Sequence, residues 1–160
     1  MQGQAPGRGK TAAVLLYFPA MAKTEQSIAI SYRSDLKYTE VGVLVLGFLK
    51  KLLNIDDDTY FKIEISLREA ANNAIVHGNG RDPGKHVHLR FAWDRKLLRL
   101  TVRDENSRRV DPQEVEDRIH DCHLLSFHGR GITIIRSYMD RFQFRSCPDG
   151  SEVVMEKKLP

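Results

Sequence analysis

"REAANNAIVHGNG", residues 68–80, reads as the end of an amphipathic helix. Its alanines and Ile75 supply packing, and it runs out in Gly78, Asn79 and Gly80. Two adjacent asparagines sit poorly in such a helix, because the asparagine side chain competes for backbone hydrogen bonds. Their presence asks for a reason beyond helix formation. Glu69, Asn73 and His77 recur at i, i+4 and i+8, so they share one narrow helix face. The apolar stripe of Ile63, Leu67, Ala70, Ala71 and Ala74 runs beside it. The polar trio therefore stands at the margin of a core, where the wall of a cleft belongs. Asn73 offers a neutral amide oxygen, a hard donor suited to magnesium, which takes few protein ligands and fills its shell with water and phosphate. Glu69, one turn earlier, is placed to accept a proton from an attacking hydroxyl. Gly78 and Gly80 fit a helix stop. For any one of these residues a solvated helix face is the plainer account; the trio followed by a glycine-rich end favours a site.

The flanking segments build a fold around this helix. "SIAISYR" (27–33) alternates and reads as a strand. "SDLKYTEVGVLVLGFLKKLLN" (34–54) reads as a helix capped by Ser34 or Asp35, apolar enough for burial on more than one side or for a dimer face. The helix of 55–80 opens on three aspartates, which suit the positive end of its dipole. "HVHLRFAWDRKLLRLTVRDEN" (86–106) reads as a hairpin, with Val87, Leu89, Phe91 and Trp93 on one face and Leu98, Leu100 and Val102 on one face. A polar stretch, 105–128, follows. "HGRGITIIRSYMDRF" (128–142) becomes an amphipathic helix with Ile132, Ile135 and Met139 on one side. "RFQFRSC" (141–147) and "SEVVMEKKL" (151–159) close the chain as strands joined by a turn at "PDG". This order predicts an α/β fold, a two-layer sandwich of a mixed, mostly antiparallel sheet with about three helices on one face.

Two further features carry chemistry. Asp104 continues the parity of Leu98, Leu100 and Val102, so it points toward the helix layer. A carboxylate there is costly without a hydrogen-bonding partner, and an adenine amino group would be one; the alternative is a strand-end aspartate twisted out into the loop. Gly129 and Gly131 in "GRGITII" precede a helix, where bare backbone amides form an anion site; the alternative is a simple hinge. "HDCHLLSFH" (120–128) gathers His120, Cys122, His123 and His128, but the spacing matches no familiar metal pattern and reads as a histidine-rich polar loop.

The bulk numbers narrow the class. A chain of 160 residues, 41% hydrophobic and 29% charged, fits one globular domain with a real core. The net charge of +4 is interspersed, without the stripe or reading motif of a nucleic-acid binder. Cys122 and Cys147 form no C-x-x-C pair and read as free thiols in a reducing cytosol. The longest apolar run, 41–49, falls far short of the ~20 residues a membrane-spanning helix needs. Residues 1–24 read as a disordered or non-native leader, with Met21 as a natural start. Their basic opening and short apolar run bear only a faint likeness to a secretory signal. "GRGKT" (7–11) fails as a phosphate loop, because the spacing needs a glycine where Gln4 stands.

Taken together, these stretches resemble a known set. "EAANNAIVHGN" (69–79) resembles the asparagine box of the GHKL, or histidine kinase-like, ATPase superfamily. "VRDEN" (102–106) resembles the strand-end aspartate of its first glycine box. "GRGITIIRSYMD" (129–140) resembles the second glycine box with the continuation typical of anti-sigma-factor serine kinases. The resemblance covers about residues 27–159 and implies the Bergerat ATP-binding fold for a domain of 25–160. It implies ATP and Mg2+ as cofactors, Glu69 as general base, Asn73 as the magnesium ligand and Asp104 as the reader of adenine. Gly129 and Gly131, with Arg130 between them, would hold phosphate. Ser151, which shares parity with Val153 and Met155, would assist adenine binding, and His77 and Asn106 would line the nucleotide. The stretch 105–128 would be a lid over ATP.

The first box departs from the family's Asp-x-Gly-x-Gly: here it is Asp104, Glu105, Asn106, Ser107 and Arg108. Asn106 is a tolerable replacement, because asparagine can adopt the left-handed conformation. Arg108 is a less obvious one. Two functions follow. One is an anti-sigma factor with serine-protein kinase activity, cytoplasmic and homodimeric, that sequesters a sigma factor and phosphorylates a serine of a STAS-type anti-sigma factor antagonist, with no nucleic acid or membrane partner. The other is a non-catalytic regulatory module that keeps the fold without productive ATP use.

Overall fold

The computed structural model describes residues 25–106, 130–147 and 149–159. In chain order these form β1 (Gln26–Arg33), a 3-10 turn (Leu36–Tyr38), α1 (Thr39–Leu52) and α2 (Asp57–Asn73). The last runs into a π turn (Ala74–Gly78). There follow β2 (His86–Trp93), β3 (Leu97–Arg103), α3 (Arg130–Tyr138), β4 (Arg141–Cys147) and β5 (Gly150–Lys158). The five strands make one sheet in the order β1-β2-β3-β5-β4. Every described pairing is antiparallel, a purer sheet than the mixed one expected.

The register explains the layers. Ile30 faces Leu89, which faces Val102; Phe91 faces Leu100, which faces Met155, which faces Phe142. One side of the pleat is thus a continuous apolar surface across all five strands. Leu46 and Leu49 of α1, Ile63, Leu67 and Ala70 of α2, and Ile135 of α3 cover it, together with Met139 just beyond α3. The helix α2 packs against both α1 and α3, so it is the central element of the helix layer. On the other side of the sheet, Arg99 donates to Glu156 at 2.8 Å and to Glu25 at 2.9 Å. Half-exposed pairs of this kind contribute at most about 1 kcal/mol each, so the apolar layer dominates stability.

The helix starts follow local chemistry. Asp56 caps α2 by accepting the Thr59 N–H at 2.9 Å, and Asp57 and Asp58 fill the first turn. Asp35 accepts the Lys37 N–H at 3.1 Å, but it caps the 3-10 turn; α1 itself begins at Thr39. Asn72, which lies off the polar face of α2, accepts from the Thr39 hydroxyl at 3.4 Å and ties the start of α1 to the end of α2. The apolar character of α1 divides between two sides. Leu46 and Leu49 enter the core, while Val41, Leu44, Phe48 and Leu52 form an exposed stripe at helical spacing, with Leu44 at 74% exposure. Among the described residues no helix is long and apolar enough to cross a membrane.

Candidate functional site

Antiparallel pairing of β3 with β5 sets the end of one strand against the start of the other. Asp104, the residue after β3, donates its N–H to the Ser151 carbonyl at 3.1 Å. Its side chain turns inward and is 6% exposed. Oδ1 accepts two backbone N–H groups, from Ser151 at 2.8 Å and from Asn106 at 3.0 Å. Oδ2 lies against Gly78, where an added Cβ would overlap the carboxylate. Of the two expectations for Asp104, the inward one holds. Burial pushes its pKa above the ordinary aspartate value, while the N–H donors and Arg103 pull it down.

Gly78 thus ends the helical run and also serves a close approach. The left-handed glycine is Gly80, at φ 64°, followed by Arg81 at 61°. Asn106 is absent from the residues with positive φ, and it gives its N–H to Asp104.

The polar face of α2 meets α3. Glu69 and Asn73 are both half-buried. A Cβ on Gly131 would stand 2.5 Å from Glu69 Oε2 and 3.4 Å from Asn73 Nδ2, so a side chain there would have to displace the Glu69 carboxylate. His77 is exposed, and the turn that carries it is π-helical, with Asn79 N–H bonded to the Ala74 carbonyl at 2.7 Å. Arg130 opens α3. Gly129, the stretch 107–129 with Ser107, Arg108 and the His120–Cys122–His123–His128 group, and the leader 1–24 lie outside the described residues.

One helix therefore carries two contacts. Glu69 and Asn73 touch the start of α3, and Gly78, about 7 Å further along by helical rise, touches Asp104. A carboxylate, an amide, a helix start and a buried acceptor line one wall. No cluster of three His, Cys, Asp or Glu side chains able to hold a metal occurs among the described residues.

Sequence reasoning missed two residues beside this wall. Asn79 is 2% exposed, donates from Nδ2 to the His86 carbonyl at 2.8 Å, and accepts the Glu105 N–H at 2.7 Å. Glu105 accepts the His86 N–H at 2.9 Å and pairs with His88 Nε2 at 3.0 Å. Their signal is tertiary, without period or motif. The one available hint was an asparagine between two glycines.

A raised carboxylate pKa has a definite sign for stability. The folded state disfavours the ionised form, so at neutral pH the Asp104 charge is a cost, relieved as pH falls through its folded-state pKa. Asp104→Asn keeps an oxygen for both N–H donors and removes that charge. The nucleotide-free variant is expected to melt at or above the wild-type temperature at pH 7, with the difference shrinking at acidic pH. A melt several degrees below wild type at pH 7 would contradict the assignment.

Comparison with known proteins agrees with this geometry. Residues 36–157 match the histidine kinase-like ATPase domain. The chain is 30% identical over 140 residues to the anti-sigma F factor of Oceanobacillus iheyensis, covering 86% of this chain and 94% of that one. It is 32% identical over the same span to the anti-sigma F factor of Halalkalibacterium halodurans, with the same coverage. The buried strand-end carboxylate, the polar face of α2 and the glycine start of α3 sit in a fold whose family is thereby fixed: this chain belongs to the histidine kinase-like ATPase domain family.

Proposed function

We propose that this chain is a cytoplasmic anti-sigma factor with serine-protein kinase activity. It sequesters a sigma factor and transfers the γ-phosphate of ATP to a serine of a STAS-type antagonist. The observation that carries this reading is the seating of Gly131 against Glu69 and Asn73. A carboxylate, a side-chain amide and the start of a helix meet at one point, and these can supply the parts phosphoryl transfer needs. Similarity to anti-sigma F factors over most of the chain supports the regulatory role.

Each residue then has a task. The Asp104 carboxylate accepts the adenine amino group, with Ser151 beside it. The Asn73 amide oxygen holds Mg2+, which neutralises phosphate charge when bound. Gly129 and Gly131, flanking Arg130, let the first amides of α3 approach the phosphates. Glu69 takes the proton from the attacking serine hydroxyl, a role that typically contributes 10²–10⁴-fold. His77, exposed on its π turn, and Asn106, next to Asp104, border the nucleotide. Residues 25–160 form the ATPase domain.

A second reading, a binding module without turnover, is favoured by the first glycine box, where Glu105 and Asn106 precede Ser107 and Arg108 in place of an Asp-x-Gly-x-Gly pattern. Phosphate transfer separates the two. The chain is expected to phosphorylate an antagonist serine with Mg-ATP, and Asn73→Ala to reduce the rate at least a hundredfold. Equal transfer by both proteins would remove Asn73 as metal ligand. No transfer by wild type, combined with no rise in melting temperature at millimolar Mg-ATP, would favour the binding module.

The exposed stripe of Val41, Leu44, Phe48 and Leu52 suits a homodimer contact through α1. Analytical ultracentrifugation is expected to show a dimer for wild type and a folded monomer for Phe48→Glu. An unchanged dimer in the variant would move the contact elsewhere.

A further inference from the structure

Two neighbouring contacts join α2's end to β3's end. Gly78 lies against the Asp104 carboxylate, and Asn79, the next residue, bonds to the N–H of Glu105, the residue after Asp104. His86 at the start of β2 closes the ring. Its carbonyl accepts from Asn79 Nδ2 at 2.8 Å, and its N–H donates to Glu105 Oε2 at 2.9 Å. Glu105 Oε1 lies 3.0 Å from His88 Nε2. A carboxylate carries no proton to give, so the imidazole is the donor there. That leaves His88 Nδ1 a bare nitrogen, buried and without a hydrogen-bond partner among the described residues. Burial pushes the His88 pKa below its ordinary value, with Glu105 opposing, which agrees with a neutral ring. Asn79 is thus bonded through both ends of its amide, and Glu105 through both oxygens.

We propose that Asn79 and Glu105 are positioning residues that clasp α2's end to the β2–β3 edge and so fix the adenine-reading carboxylate of Asp104 against Gly78. The inference rests on the nucleotide reading above. Glu105, at the second position of the first glycine box, supplies a carboxylate that bonds across to β2. The clasp restrains both neighbours of the carboxylate contact, Asn79 after Gly78 and Glu105 after Asp104. Loosening it lets the carboxylate shift relative to α2 while Glu69, Asn73 and Gly131 stay together, because their contact lies further back along the helix. The clasp therefore governs base discrimination and leaves phosphate binding largely alone.

The test compares ATP with inosine triphosphate, each with Mg2+, by calorimetry on the full chain. Inosine presents a carbonyl where adenine presents its amino group, so it meets Asp104 with repulsion. Wild type is expected to prefer ATP by at least tenfold. Asn79→Ala and Glu105→Ala are expected to lower that preference at least fivefold, chiefly by weakening ATP. Glu105→Gln, which keeps one acceptor oxygen, is expected to fall between. Loss of general stability alone would weaken both nucleotides equally and leave the ratio unchanged, and an unchanged ratio in all three variants overturns the clasp. Should Asn79→Ala fail to fold, the two Glu105 variants decide the matter, since that side chain is 38% exposed. Wild type without preference for ATP overturns the adenine reading of Asp104, and the clasp with it.

Discussion

A carboxylate buried at the end of an inner strand is the constraint around which this molecule is arranged. Left without partners, such a group costs several kcal/mol and neutralises or unfolds its surroundings. Here the Asp104 carboxylate survives because the chain brings it two backbone N–H donors. One of them, Ser151, exists at that point only because β5 returns beside β3. Gly78 leaves the space in which the group sits. Sheet order, strand register and the ending of α2 all bear on one side chain. Burial raises the pKa in spite of these donors, so the native fold carries a polar group that a ligand donor would further relieve.

The helix α2 converts that constraint into a site. It is the middle element of the helix layer, with an apolar face set into the core and a polar margin toward α3. Its glycine contact with α3 brings Glu69 and Asn73 to the start of a second helix, and its far end reaches Asp104. These contacts join groups that the sequence places 35 or 62 residues apart, from Glu69 to Asp104 and from Glu69 to Gly131. A rigid helix with two close approaches holds the Asp104 carboxylate and the start of α3 at a fixed span.

Much of this was legible in the chain itself. The shared face of Glu69 and Asn73 was readable because an α-helix repeats every 3.6 residues, which sets them beside an alanine-rich stripe. Asp104 and Ser151 were readable because strand parity is strict, and both sit on the face of Val102 and Val153. The π turn that begins at Ala74 and carries His77 is something no spacing rule anticipates. Gly78 looked like a helix stop, and its close approach to Asp104 depends on a residue distant in sequence. Asn72, Asn79 and Glu105 stayed silent for the same reason: their partners are Thr39, His86 and His88, reached only after folding. Periodicity reports which way a side chain faces, and says little about what it meets there.

The central claim is that Asn73, Gly78, Asp104, Gly131 and Ser151 border one nucleotide pocket. Backbone amide NMR during titration with Mg-ATP tests it most directly. The account predicts that the amides of Asn73, Gly78, Asp104, Gly131 and Ser151 shift together along one binding curve. The amides of the exposed stripe on α1 stay in place. Saturable shifts confined to other parts of the chain, or two curves dividing the Asp104 end from the Gly131 end, would contradict it.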